Sequence, residues 1–259
     1  MINQIPIVLK IYNHQINNIN YVDSLDINIL KSGMTLVFVS NQSEFDNIEE
    51  SIHVLNDNEL KRFNGFFRQS DKRNFLLSRI ILKSIISRLC QVELSDILIS
   101  QEENVKPKIL YPSTNLNFSL SHAKDYVLVG FSLQSQIGVD IEFVRPSNKI
   151  ELIAANYFSA QEQENIKGDL HPEKVFFDYW TRKESAVKLI GLGLLEQIRS
   201  FEVCNEVNNN EIPIEIDFQH IFLNSFTIND YQGCIALSEQ TEGIKFIQLT
   251  EEILKSWLP

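Results

Sequence analysis

Residues 138–145 read GVDIEFVR, and the reading of this stretch decides how the whole chain is divided. Apolar and charged residues alternate in it with the period of two that marks a strand. Side chains two apart share a face, so Asp140 and Glu142 point one way while Val139, Ile141 and Phe143 point the other. Two carboxylates on one face repel each other. They belong either to the solvated face of an edge strand or to a site that holds something positive.

Before this strand, IPIVLKIY reads as a short strand, MTLVFVS at 34–40 as a buried one, and the acidic stretch that follows as a surface helix. From 71 to 90 the residues Phe75, Leu76, Ile80, Leu82, Ile85, Ile86 and Leu89 recur at helical spacing. That predicts a long amphipathic helix with a cationic outer face. ILIS at 97–100, KIL around Lys108, LNFSLSH at 116–122 and YVLVGFSL at 126–133 then read as strands. With GVDIEFVR the order starts over. A short helix over Lys149–Tyr157 follows, then one opened by a Ser-x-x-Glu capping box at Ser159–Glu162. A third has Pro172 in its first turn and Gly191 where it would stop, and the tail alternates the strands SFEVCN, IEIDFQHIFL, YQGCIALS and GIKFIQL. A strand, helices and a run of strands in each half predict an α+β protein of two similar lobes, 1–135 and 136–259.

Composition narrows the function. A chain of 259 residues with 44% hydrophobic and 22% charged residues, including 17 Phe, is that of a globular protein with a sizeable core. No window approaches a membrane-spanning run, and the N-terminus lacks the order of a signal peptide, so a cytoplasmic protein without a membrane partner is expected. Cys90, Cys204 and Cys234 are odd in number and far apart, which points to buried filler rather than disulfides or a zinc site. The formal charge of -11 argues against general nucleic-acid binding. Residues 61–90 reverse that sign, with Lys61, Arg62, Arg68, Lys72, Arg73, Arg79, Lys83 and Arg88 against Asp71 alone. This local basic surface is either a solvated helix face or an anion site.

Three places carry chemistry. Asp140 and Glu142 are oxygen donors of the kind Mg²⁺ prefers, and it takes one or two of them while keeping water and phosphate in its other positions. In YWTRKESAVKLIG at 179–191, Trp180, Glu184 and Lys188 are spaced i, i+4, i+8 on one helix face. That pair is either a surface ion pair or a third carboxylate beside a phosphate-binding ammonium. In NFSLSHA at 117–123, Ser121 and His122 end a strand and could donate to a phosphate, with Lys106 and Pro107 just before. No GxSxG elbow, Walker loop or Rossmann fingerprint is present.

Taken in order, NFSLSH, GVDIE and WTRKES with Lys188 resemble the motifs of the 4′-phosphopantetheinyl transferases of the surfactin-synthetase-activating type. The similarity runs from about Glu59 to Leu194 and includes ELKRFNGFFRQSDKRNFLLSR. It implies two lobes related by a pseudo-twofold, each an antiparallel sheet on helices, in one monomeric chain with the cofactor in the cleft between them. It implies that Asp140, Glu142 and Glu184 hold Mg²⁺ on the diphosphate of coenzyme A, with Lys188 on phosphate and Glu184 as the catalytic base, directly or through a bound water. Arg62, Arg73 and His122 would meet the 3′-phosphate, Lys106 and Pro107 would border the adenine, and Ser121 would lie close by. The implied reaction moves the phosphopantetheine arm from coenzyme A to a serine of an acyl or peptidyl carrier protein. Val105 stands where the family commonly has Gly. Glu162 matches a family acid and equally serves its capping box. A catalytically silent coenzyme-A or carrier-binding protein of the same fold, an unrelated Mg-dependent phosphohydrolase and a nucleic-acid binder are the alternatives.

Overall fold

In a computed structural model, residues 7–15, 20–21, 26–100, 105–147, 149–191, 201–204, 207–210 and 220–258 are described. The elements of the first half are β1 (Ile7–Gln15), β2 (Asn20–Tyr21), β3 (Met34–Asn41), α1 (Asp57–Gly65), α2 (Gln69–Cys90), β4 (Leu98–Ile99), β5 (Ile109–Tyr111), β6 (Asn117–Ala123) and β7 (Tyr126–Ser132). Those of the second are β8 (Ile137–Phe143), α3 (Ile150–Tyr157), α4 (Ala160–Gly168), α5 (Pro172–Ile190), β9 (Val207–Asn210), β10 (His220–Ile228), β11 (Tyr231–Leu237), β12 (Gly243–Gln248) and α6 (Glu251–Ser256). The class is α+β, with largely antiparallel sheets packed on helices.

The chain forms two compact units. The first comprises Met1–Asn17, Glu103–Lys106 and Gln134–Gln240; the second comprises Asn18–Glu102, Pro107–Leu133 and Thr241–Pro259. The first unit holds a sheet in the order β8-β11-β10-β1-β9, covered by α5. The second holds β2-β12-β3-β7-β6 and the small pair β4-β5. These units are not the two stretches on either side of residue 135. Strand β1 runs parallel to β10 in the first unit, and β12 runs parallel to β3 in the second, so the two terminal strands are exchanged. Alternation along a strand fixes which face is buried and says nothing of which neighbour it pairs with.

The units repeat one local device. Asn56 caps α1 in a capping box with Glu59, and Ser159 caps α4 in a capping box with Glu162. Each glutamate then turns a buried oxygen to a lysine on the following long helix, Glu59 to Lys83 at 2.7 Å and Glu162 to Lys183 at 2.8 Å. Each lysine also donates to the carbonyl five residues before its glutamate, Lys83 to Val54 at 2.8 Å and Lys183 to Tyr157 at 3.1 Å. All four side chains are fully buried. A charge at such depth is tolerable only when paired and hydrogen-bonded, so each device fixes a helix start against a helix body.

This corrects the reading of residues 71–90. Helix α2 forms as predicted, but beyond its first turn it is buried nearly all round, and Arg79 joins Lys83 on Glu59 at 3.2 Å. Other basic residues of the segment lie over rings, Arg62 over Phe75, Lys72 over Phe63 and Arg88 over Trp257. The cationic outer face is accordingly much reduced. The acidic stretch expected as a surface helix forms two 3-10 turns, Gln42–Glu44 and Ile48–Val54, with Ile48 and Val54 buried. Its carboxylates hold neighbours in place, Glu49 on Arg73 and Glu44 on Gln248. Phe201–Cys204 is irregular where a strand was expected, although Phe201 and Val203 are buried. The first part of IEIDFQHIFL lies outside the described residues.

Candidate active site on strand β8 and helix α5

Helix α5 begins with Pro172 in its first turn and ends at Gly191, whose φ of 83° is the left-handed conformation that closes helices. Its two neighbouring cations turn inward and serve the fold. Arg182 pairs with Asp178 at 2.6 Å and donates to Ser225 and to the Val203 carbonyl, while Lys183 meets Glu162. Glu184 and Lys188 lie on a different face, and Lys188 Nζ reaches Asp140 Oδ1 of β8 at 2.7 Å.

That reach depends on Gly138. A Cβ built there would lie 2.0 Å from the Ser185 carbonyl oxygen and 2.4 Å from the Leu189 nitrogen, so α5 packs backbone to backbone on β8 at this point. The register of β8 on β11, with Asp140 opposite Cys234 and Glu142 opposite Gln232, presents Asp140, Glu142, Glu184 and Lys188 within one unit. We expect Gly138→Ala to cost about 1–3 kcal/mol or more, because the clash is with backbone and no side chain can rotate away. Chemical denaturation measures that cost, and a cost near zero would mean the helix does not approach as closely as described. Gly138 is the positional residue that sequence reasoning missed; a glycine opening an otherwise apolar strand is the signal of close backbone approach.

The electrostatics report the crowding. Burial pushes Glu142 up to about 7, Asp140 adds to the rise, Lys188 and Arg145 oppose it, and Glu184 adds a smaller push. Glu184 is raised too, by burial first and by Asp140 second, against Lys188. Asp140 is only 5% exposed. Arg145, exposed just beyond β8, is a further cation of the site that the sequence did not single out. These are three carboxylates short of positive charge, the condition that a divalent cation relieves. Among the described residues no group of three His, Cys, Asp or Glu side chains is close enough to enclose a metal ion. Carboxylate oxygens are donors of the type Mg²⁺ takes, but Asp140, Glu142 and Glu184 do not converge here into the three-carboxylate site expected from the sequence.

The remaining predicted residues fall as follows. Lys106 belongs to the first unit, and its ammonium donates to the carbonyls of Ile137 at 2.7 Å and Leu189 at 3.4 Å; burial lowers its pKa to about 8. The other predicted contacts belong to the second unit. Pro107 is half-buried in the irregular chain before β5, and on the edge strand β6 Ser121 is half-buried and His122 exposed. Arg62 is exposed on α1. Arg73 is engaged by Glu49 at 2.8 Å, by Gln42 and by the Phe45 carbonyl. Glu162 accepts from Ser159 N and Val203 N as well as pairing with Lys183, so its partners are those of a structural residue. Among the described residues, no helix is long and apolar enough to cross a membrane.

Comparison with known proteins places the chain among relatives. Residues 136–236 match the model of the 4′-phosphopantetheinyl transferase superfamily, and residues 41–133 match that of the N-terminal part of 4′-phosphopantetheinyl transferases. The chain is 33% identical over 158 residues to the 4′-phosphopantetheinyl transferase Sfp of Bacillus subtilis, covering 60% of this chain and 68% of that one. It is 32% identical over 157 residues to the 4′-phosphopantetheinyl transferase HetI of Nostoc sp., covering 58% and 66%. It is 23% identical over 192 residues to the L-aminoadipate-semialdehyde dehydrogenase-phosphopantetheinyl transferase of Rattus norvegicus, covering 70% and 60%. The matches thus span about two thirds of these relatives' own length.

Proposed function

Because the chain belongs to the 4′-phosphopantetheinyl transferase family, we propose that it transfers the phosphopantetheine arm of coenzyme A to a serine hydroxyl of an acyl or peptidyl carrier protein. Adenosine 3′,5′-bisphosphate leaves. The observation that carries this reading is the group of buried Asp140 with half-buried Glu142, Glu184 and Lys188, on two elements held together at Gly138. We further assign the chain to the surfactin-synthetase-activating type on the order of its three motifs, and propose a cytoplasmic monomer, the monomeric state resting on the family resemblance.

Asp140, Glu142 and Glu184 would hold Mg²⁺, which when bound supplies positive charge to the coenzyme's diphosphate. Lys188 exchanges Asp140 for a phosphate oxygen as coenzyme A enters, bringing an ammonium to the bond that breaks. Glu184 receives the serine proton, directly or through a bound water. Arg62, Arg73, Pro107, Ser121 and His122 of the second unit remain proposed contacts for the adenosine end of the coenzyme. For Arg73 this requires release from Glu49. Incubation with coenzyme A, Mg²⁺ and an apo carrier tests the reading by mass spectrometry. The carrier gains one phosphopantetheine arm if the proposal holds; coenzyme A broken down with the carrier unchanged identifies a phosphohydrolase, and no change in either identifies a silent binder.

The crowded carboxylates also give stability a pH slope in the absence of divalent cations. Folded Glu142 keeps its proton up to about pH 7, whereas its ordinary value is 4.5. Across that window the folded state binds more protons than the unfolded one, so stability falls as pH rises, and the full cost is present above the window. Glu184 contributes with the same sign. Urea unfolding in chelator should show this decline, and Glu142→Gln, which carries no titrating group, should flatten it. An equal slope in the variant would remove Glu142 as its source.

A further inference from the structure

Lys106 belongs to the first unit, although Pro107 directly after it belongs to the second. What Lys106 touches there is backbone. Its Nζ donates to the carbonyl of Ile137, the first residue of β8, and to that of Leu189 in the last turn of α5. Ser238 N donates to the Gln136 carbonyl, so by strand alternation the Ile137 carbonyl faces away from β11. Leu189 is among the last four residues of α5, whose carbonyls have no partner within the helix. The Lys106 side chain runs past Gly191, where an added Cβ would lie 3.9 Å from Lys106 Cβ. One ammonium therefore joins a strand edge to a helix end.

The position of that joint gives it a consequence. Ile137 precedes Asp140 by three residues, and Leu189 follows Lys188 directly. At Gly138 the helix is pressed on the strand by backbone contact alone; at Lys106 it is tied by charge-assisted hydrogen bonds. We infer that Lys106 is a positioning residue that fixes α5 on β8, and through them the placement of Glu184 and Lys188 against Asp140 and Glu142, rather than a ligand of the coenzyme. The lowered pKa of Lys106 accords with an ammonium withdrawn from solvent. Two of the three N–H donors of the ammonium are taken by these carbonyls, which leaves one for any other acceptor.

The link to catalysis rests on the proposed transfer, whereas the structural half of the inference does not. Lys106→Met is measured by hydrogen exchange and by steady-state kinetics with coenzyme A and an apo carrier. The expected result is faster exchange in β8 and in the last turns of α5, with β3 and β7 of the second unit unchanged. With it kcat falls about 10²-fold, the effect of a small misplacement of reacting groups, and KM for coenzyme A stays within about twofold. A raised KM with kcat and exchange unaltered would make Lys106 a coenzyme ligand and overturn the inference, as would no change in any of these. If Lys106→Met does not fold, Lys106→Arg, which keeps the cation and its donors, decides: wild-type exchange with near-wild-type kcat and KM supports positioning, and a raised KM with wild-type exchange overturns it. If the unaltered protein transfers nothing, the proposed function fails, and hydrogen exchange alone still decides whether Lys106 ties strand to helix.

Discussion

Glu184→Gln is expected to reduce transfer by about 10²–10⁴-fold while leaving the protein folded. The substitution keeps the size and polarity of the side chain and removes its charge. Glu184 is the proposed acceptor of the serine proton and one of the proposed oxygen donors to the divalent cation, and glutamine serves neither role as well. The same change relieves the crowding that Asp140 and burial impose on Glu184. Stability should therefore hold or rise as activity collapses, opposite signs that separate a chemical role from damage to the fold. Mass-spectrometric transfer assays and urea unfolding of the same preparation measure both. A variant with wild-type transfer would remove Glu184 from catalysis.

The second large effect is on stability. Glu162→Ala leaves the Lys183 ammonium in a fully buried position and withdraws the acceptor from Ser159 N and Val203 N. Removing one partner of a buried pair costs about 3–5 kcal/mol, because the other charge stays behind without compensation. Burial already lowers the pKa of Lys183 against the pull of Glu162, so without that partner the lysine would lose its proton more readily. Glu59→Ala should cost a similar amount, since Lys83 and Arg79 are its buried partners. Denaturant midpoints of both variants test this, and a loss below about 1 kcal/mol in either would place that pair in a far more solvated setting than described.

These glutamates show how much was legible. The capping box at Ser159–Glu162 was readable from four residues, because an N-cap needs only its own turn. That Glu162 also receives a lysine twenty-one positions later was not, because a capping glutamate with no buried partner has the same sequence signature. The run Arg182-Lys183-Glu184 is the sharper case. Helical spacing placed Glu184 and Lys188 on one face, and they are; it did not say that Lys188 would bond Asp140 of β8. The basic segment 61–90 was identified by charge count, yet burial of Arg79 and Lys83 depends on Glu59, which lies outside that count.

What the sequence determined by itself was the kind of element at most positions, the strand of GVDIEFVR, the helix of WTRKES and the carboxylates they carry. These follow from periodicities of two and of 3.6 residues, which neighbours along the chain impose. Only the tertiary structure decided that β1 and β12 pair within units their sequence neighbours do not share, and that α5 touches β8 at Gly138. Likewise, Lys106 closes on backbone carbonyls. Such pairings join residues far apart in the chain, and their free energy comes from excluding water between surfaces that no local window contains.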